Sequence, residues 1–236
     1  MSISIVILAA GKGRRMQSSM PKVLQLLAGR TLLDHVLDSA MQIMAEDICI
    51  VYGHGGDAVK KQFKNKKLRW AEQAVQKGTG HAVNQAIPDI PDGNRVLILF
   101  GDVPLLEPQT IQNILDNCPK NDLAVLTVEM ENPCGYGRII RESGALVDIV
   151  EENDATELEK KIKEVNTGVL CCPAKKLKYW LSQLQDDNAQ GEYYLTDVIK
   201  MASMQGVKVH GIKAKNQVEV MGINNKRDLA EVERAV

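Results

Sequence analysis

Apolar residues recur along this chain with two alternating periods. Ile5 to Leu8 form an unbroken apolar run, as in a strand buried on both faces. Leu32, Leu33, Val36, Leu37, Ala40, Met41 and Met44 return at helical spacing behind Thr31, a residue suited to capping. Ile48 to Tyr52 predicts a second strand, ended by Gly53-His54-Gly55-Gly56, and Asp57 to Phe63 a short helix. The run Lys64 to Lys67 reads as solvated surface. Leu68 to Ala71 predicts a short strand, and Thr79 is expected to cap a helix reaching about Ile87. Arg95 to Phe100 predicts another buried strand, Leu106 to Asp116 a helix and Leu123 to Met130 a strand. The texture then changes. Gly135 to Ile140 and Leu146 to Glu151 predict a hairpin, Ala155 to Lys163 a polar helix, and Val165 to Leu170 a strand. Helices are expected around Ala174–Leu184 and Leu195–Met204, strands at Val207–Ile212 and Val218–Met221, and a final helix from Asn225.

The βαβα order of the first half predicts an α/β fold whose mostly parallel, mixed sheet carries helices on both faces. Ligands of such sheets sit beyond the carboxyl ends of the strands. No linker, repeat or low-complexity segment divides the chain. The expectation is a single domain over 1–236: a first part of about 1–115, a second of about 116–224, and a C-terminal helix over 225–236.

Composition narrows the classes of function. The chain has 236 residues, 44% hydrophobic and 25% charged, a balance that supports a real core in a soluble protein. A net charge of −1 supplies no overall basic field, so nucleic acid is not expected as a partner. No apolar run approaches a membrane span, and charged residues follow Ile3 to Leu8 too soon for a signal peptide. No membrane partner is expected, and the expected location is cytoplasmic. The five cysteines form no C-x-x-C pair and the four histidines are scattered, which favours reduced thiols and speaks against zinc.

Candidate chemistry begins where the first strand ends. Ala9-Ala10-Gly11-Lys12-Gly13 is small or unbranched apart from one lysine, so its backbone N–H groups can approach a ligand. Arg14, Arg15 and Lys22 follow, and exposed N–H groups ringed by cations suit a polyphosphate. An ordinary turn with solvated arginines would look similar. A dinucleotide fingerprint needs a third glycine where Met16 stands, and a Walker loop needs Gly-Lys followed by Ser or Thr.

Asp102 lies just past a buried strand in Gly101-Asp102-Val103-Pro104-Leu105, where it could hold Mg²⁺ or cap the next helix. Asn224 precedes the last helix, where on its own it reads as an N-cap. Gln73 carries an amide that both donates and accepts, matching a pyrimidine edge. Gly78 and Thr79 open a helix, a place where backbone N–H groups meet an anion or a base. Gly137, Glu151 and Asn166 offer a backbone donor, a carboxylate and an amide to sugar hydroxyls, although a hairpin turn also explains Gly137 and a surface strand end Glu151.

The motifs occur together in one order. They are Leu8-Ala9-Ala10-Gly11-x-Gly13-x-Arg15-Met16 with Pro21-Lys22; Gln73 with Gly78-Thr79-Gly80-His81-Ala82; Gly101-Asp102-x-Pro104-Leu105; Gly135-Tyr136-Gly137-Arg138-Ile139; Ile149-Val150-Glu151; Asn166-Thr167-Gly168; the run from Asn188 to Asp197; and Gly222-x-Asn224-Asn225. The first resembles the signature of the sugar-phosphate nucleotidylyltransferases. The whole set, the NAQGEYYLTD run above all, resembles the uridylyltransferase domain of the bacterial bifunctional N-acetylglucosamine-1-phosphate uridylyltransferase/glucosamine-1-phosphate acetyltransferases, over essentially the whole chain.

That resemblance implies the Rossmann-like fold of nucleotide-diphospho-sugar transferases. It implies Mg²⁺-dependent transfer of uridylyl from UTP to N-acetylglucosamine 1-phosphate, for cell-envelope precursors. It further implies that Leu8, Ala9, Ala10, Gly11, Gly13, Gln73, Gly78 and Thr79 hold the nucleotide. Arg15 and Lys22 would act on phosphate charge, and Asp102 and Asn224 would hold Mg²⁺. Gly137, Glu151, Asn166, Tyr194 and Thr196 would hold the sugar. The bifunctional family continues into a β-helix of hexapeptide repeats that carries acetyl transfer, and no such repeat occurs up to Val236. The expectation is therefore no acetyl transfer by this chain, which would be a truncated domain or a natural single-domain relative. Oligomerisation would rest on the missing part. Two rivals stand beside this reading: a nucleotidylyltransferase for another sugar or alcohol phosphate, and a non-catalytic nucleotide-sensing module. The presence of Lys22, Asp102 and Asn224 speaks against the second.

Overall fold

Every residue of the first strand, Ile3–Ala9, is buried, because the sheet continues on both its edges and helices cover both its faces. The structure is a computed structural model that describes residues 2–18 and 20–235; the Arg14 side chain and Val236 lie outside that description. Its strands are β1 (Ile3–Ala9), β2 (Leu26–Leu27), β3 (Arg30–Thr31), β4 (Asp47–Tyr52), β5 (Arg69–Glu72), β6 (Arg95–Phe100), β7 (Leu123–Glu129), β8 (Arg138–Glu142), β9 (Ala145–Val150), β10 (Glu164–Pro173) and β11 (Val209–Lys213). Its α-helices are α1 (Leu32–Met41), α2 (Gly56–Gln62), α3 (Thr79–Ala86), α4 (Pro108–Asp116), α5 (Ala174–Gln183), α6 (Asp197–Met204) and α7 (Lys226–Glu233).

The main sheet runs β11-β7-β10-β6-β1-β4-β5, with the β8–β9 hairpin attached through β10. Strands β5, β4, β1 and β6 are parallel to one another, β11 is parallel to β7, and β10 is antiparallel to both its neighbours. One sheet thus draws on both the 1–115 and the 116–224 parts of the chain. Leu8 faces Val51 of β4 on one side and Phe100 of β6 on the other, so the loops after β1, β4 and β6 leave the same edge. That edge is where a ligand of such a sheet is expected.

Alternate residues of β1 feed opposite cores. Ile5, Ile7 and Ala9 pack with the apolar faces of α1, α2 and α4, including Leu37, Phe63 and Ile114. Val6, Leu8 and Ala10 pack with α3, α5 and α6, including Val83, Trp180 and Val198. A third, smaller cluster joins Met16, Leu27, Leu32, Ile223 and Val232. It moors the loop after β1 to the β2–β3 hairpin and to α7.

Several expectations are corrected. Ala155–Lys163 is not a helix but a loop with one 3₁₀ turn at Glu159–Lys161; Leu158 is 77% exposed, so no apolar stripe is buried there. Val218–Met221 is not a strand: it contains a 3₁₀ turn at Val218–Val220, where buried Glu219 accepts the Glu107 N–H. Met44 is exposed beyond the end of α1, while Thr31 caps that helix by accepting the Asp34 N–H at 3.1 Å. Thr79 does not cap α3. Gly78 holds that position, and the Thr79 hydroxyl accepts from the Leu195 N–H at 3.0 Å. The short β2–β3 hairpin and the 3₁₀ turn at Arg14–Met16 carry no period that the pattern could show.

Candidate active site

The loop after β1 forms one wall of a cavity of about 840 Å³, which also touches the ends of β5 and β6 and the start of α7. Leu8, Ala9, Ala10, Gly11, Arg15, Lys22, Gln73, Gly78, Thr79, Asp102 and Asn224 all line it. The two loop glycines differ. A Cβ on Gly11 would meet nothing within 4 Å, so nothing in the protein requires glycine there, and its bareness keeps the cavity wide. Gly13 adopts φ +57°, and a Cβ would fall 2.8 Å from the Lys22 Cβ. Gly13 serves the turn that places Lys22.

Three residues remote in sequence meet at the far wall. The Lys22 ammonium pairs with the Asp102 carboxylate and donates to Asn224 Oδ1 at 3.1 Å. Asp102 is not a helix cap, since α4 begins at Pro108 behind Glu107. Its main-chain carbonyl accepts the Ile223 N–H at 2.9 Å, which ties the loop after β6 to the entry of α7. The capping duty ahead of α7 falls to Asn225, which accepts from Arg227 N at 2.8 Å and Asp228 N at 3.0 Å. Asp228 returns a carboxylate to the N–H groups of Asn224 and Asn225. The Asn224 side chain is therefore spared for the cavity, with its Nδ2 donating to Gly222 O at 3.2 Å. Two oxygens, one charged and one neutral, already converge on a cation of the protein's own. This donor set suits a hard metal ion.

Gly78 takes φ +107°, and a Cβ there would strike the Tyr193 backbone at 2.6 Å. The Tyr193 N–H donates to Lys77 O, and its carbonyl accepts from Gly80 N, both at 2.8 Å. The NAQGEYYLTD segment is thus laced to the start of α3. No described hydrogen bond uses the Gly78 N–H.

A second cavity of about 220 Å³ adjoins the first through Thr79, Phe100, Gly135, Tyr136 and Thr167. Gly137, Glu151, Asn166 and Thr196 line it, over a floor that includes Val125, Ile149, Leu170 and Ile199. Glu151 accepts from the Thr196 hydroxyl at 2.9 Å. Burial raises the pKa of Glu151 above the ordinary carboxylate value; the Thr196 bond opposes the rise, and repulsion from Asp154 and Glu192 adds to it. Asn166 accepts the Gly168 N–H at 2.9 Å, and its Nδ2 donates to none of the described residues. A Cβ on Gly137 would fall 2.9 Å from Ile149, so glycine keeps the rim open beside Glu151.

Tyr194 stands elsewhere. It lines neither cavity, and its buried hydroxyl bonds Asp154 at 3.1 Å while accepting from Gln190 at 2.9 Å. Those bonds fasten the segment to the loop that carries Asp154. The cavities also present residues that no motif role singled out: Gln76, Phe100, Tyr136 and Asp228. Only Tyr136 had a signal, as part of the Tyr-Gly-Arg turn.

Similarity to known proteins identifies the family. The MobA-like NTP transferase domain family matches residues 5–186. The "Bifunctional protein GlmU" of Herminiimonas arsenicoxydans is 51% identical over 232 residues, covering 98% of this chain and 51% of that protein. Its namesake from Azoarcus sp. (strain BH72) is 50% identical over 233 residues, covering 98% of this chain and 52% of that protein. The chain therefore spans about half the length of these curated relatives. Among solved structures, a UDP-glucose pyrophosphorylase complexed with UDP-glucose superposes with a TM-score of 0.75 at 18% identity, covering 100% of this chain and 98% of that one. A Methanothermobacter nucleotidyl transferase superposes with a TM-score of 0.68 at 18% identity, over 99% of this chain and 97% of that one. At such identities the likeness speaks for the fold. With the family matched over most of this chain and the loop, ion pair and twin cavities assembled at one sheet edge, the chain belongs to the MobA-like NTP transferase domain family and is a nucleotidyltransferase.

Proposed function

We propose that this chain transfers uridylyl from UTP to N-acetylglucosamine 1-phosphate, releasing pyrophosphate and forming UDP-N-acetylglucosamine. The observation that carries the proposal is the convergence of Asp102 and Asn224 on one cation position between the glycine loop and the second cavity. The GlmU relatives support the choice of reaction. The larger cavity then takes the nucleotide and the smaller one the sugar, with Glu151, Thr196 and Asn166 toward its hydroxyls and the apolar floor toward its acetyl methyl.

In this reading a sugar-phosphate oxygen attacks the α-phosphorus, and the bond from that phosphorus to the pyrophosphate oxygen breaks. The attacking phosphomonoester is mostly dianionic near neutral pH, its second pKa being roughly 6, so no side chain has to remove a proton. The difficulty is two anions meeting. Asp102 and Asn224 would hold Mg²⁺, which supplies Lewis-acid charge to the phosphoryl oxygens when bound. Among the described residues no cluster of three or more His, Cys, Asp or Glu surrounds a metal position, so substrate phosphates and water would complete the shell. Lys22 and Arg15 take charge that builds on the leaving pyrophosphate. The proposal places the enzyme in the cytoplasm, supplying cell-envelope precursors. In the structure no helix among the described residues is long and apolar enough to cross a membrane.

Pyrophosphate release measured over each nucleoside triphosphate and a sugar-phosphate panel tests the reading. UTP with N-acetylglucosamine 1-phosphate is expected to be fastest and to require Mg²⁺. Asp102→Asn is expected to lower that rate by about a hundredfold or more with the fold retained. Near-normal turnover in this variant would remove the metal assignment. A preference for another sugar phosphate would make the chain a different nucleotidylyltransferase. UTP binding without any pyrophosphate would make it a sensing module.

A further inference from the structure

The amide of Gln73 can be oriented from its surroundings. Gln73 follows β5, is 3% exposed and lines the larger cavity. Its Nε2 lies 3.0 Å from the Gly78 carbonyl, which can only accept, so the amide nitrogen must stand at that end. The same Nε2 lies 3.0 Å from His81 Nδ1. Both amide hydrogens are therefore committed inside the protein. This corrects the expectation that Gln73 donates and accepts toward a base. Its Oε1 receives no hydrogen bond from the described residues and is not among the buried unpartnered atoms, so it remains open to the cavity as an acceptor alone.

A lone acceptor distinguishes pyrimidines. Uracil carries a hydrogen on N3, whereas cytosine carries a lone pair there. Set opposite N3, an outward carbonyl pairs with the first and repels the second. An outward amide NH₂ would reverse the preference.

His81, in the first turn of α3, makes the outward carbonyl possible only while Nδ1 keeps its lone pair. One turn on, Gln85 donates to the His81 carbonyl at 3.0 Å and brings the same Nε2 to 3.3 Å from His81 Nε2. Amide nitrogens thus face both ring nitrogens. A neutral imidazole has one lone pair for them, and Gln73 makes the shorter contact. A protonated ring would have none. Burial, and then the nearby charge of Lys77, lower the His81 pKa, which favours the neutral ring. Among the described residues, Lys77 is the charged group that acts on this ring. Tyr193 packs beside it with centroids 6.5 Å apart, and Gln73 and Gln85 are neutral.

We propose that His81 is a positioning residue for base selection: its unprotonated Nδ1 holds the Gln73 amide with the carbonyl outward, so that the cavity takes uracil and rejects cytosine. This deepens the uridylyl reading and rests on it. A histidine that merely packs α3 against the neighbouring loop would leave the UTP-to-CTP preference untouched.

Two variants separate these roles, each read by calorimetric binding of UTP and CTP and by kcat/KM for both, across pH. His81→Phe keeps a ring against Tyr193 but removes the acceptor. It is expected to reduce the UTP-over-CTP preference about tenfold, mostly through the KM for UTP, with the KM for the sugar phosphate little changed. His81→Asn places an amide oxygen near the Nδ1 position and is expected to restore the preference. In the wild type the preference falls as pH drops below the usual imidazole range. In His81→Asn that decline is absent. An unchanged preference in His81→Phe, or an equal loss in both variants, overturns the proposal. A wild type without any preference for UTP would instead sink the uridylyl reading.

Discussion

Gly11 and Gly13 sit two places apart in one motif and do different work. Gly13 needs a left-handed backbone and clearance from Lys22, both of which are requirements of the fold. Gly11 needs neither, so the space it leaves belongs to the ligand. Gly13→Ala is expected to cost roughly 1–2 kcal/mol of stability through the left-handed backbone. Gly11→Ala should leave the melting temperature unchanged while weakening UTP binding. Thermal melts and calorimetry on the pair test this division; equal destabilisation of both would refute it. The sequence shows two identical letters, and nothing in the motif says which one the protein itself requires. The same ambiguity covers Asn224 and Asn225. Either could cap α7, and only the capping bonds of Asn225 show that Asn224 is free to accept from Lys22. Gln73 was readable as a base contact, but the direction of its amide depends on a histidine whose role no spacing announces.

Helix α6 starts beside a group of acids, and its first residue bears the consequence. Burial, with repulsion from Asp148, Glu151 and Asp154 against the opposing pull of Lys200, raises the pKa of Asp197 to about 6. The folded state therefore binds this proton more tightly than the unfolded chain does. That contribution to stability is complete below the ordinary aspartate range and is lost as pH rises through about 6. Asp197→Asn should melt higher than the wild type in neutral buffer, and the gain should vanish in acid. A constant difference across pH would show that Asp197 acts by some other route. The element itself was legible, because Val198, Ile199 and Ala202 recur at helical spacing. Buried parallel strands were legible for a similar reason, since both their faces must be apolar. The Ala155–Lys163 stretch was misread because its apolar residues are too few to cover any core, and local polarity alone cannot hold a helix.

The two faces of the sheet bury four of the five cysteines: Cys49, Cys118, Cys171 and Cys172 are free thiols inside, and Cys134 is exposed at the cavity rim. A thiol reagent is expected to titrate one group in the folded protein and five after denaturation. Two or more fast groups in the folded state would mean that the layers open readily. The α/β class and the doubly covered sheet followed from the strand and helix periods. The position of β10 did not, because a central antiparallel strand and a parallel one share the same apolar texture.

The lacing of β10 between β6 and β7 has a consequence for how the molecule is made. A ribosome delivers β6 and β7 first, and neither can be joined through the middle until residue 173 has emerged. Until then the nascent chain carries a bare β6 border of unpaired amides and carbonyls. A protein cut short before β10 would keep that border for good, and would be prone to clump with its own copies and to be cleared by proteases.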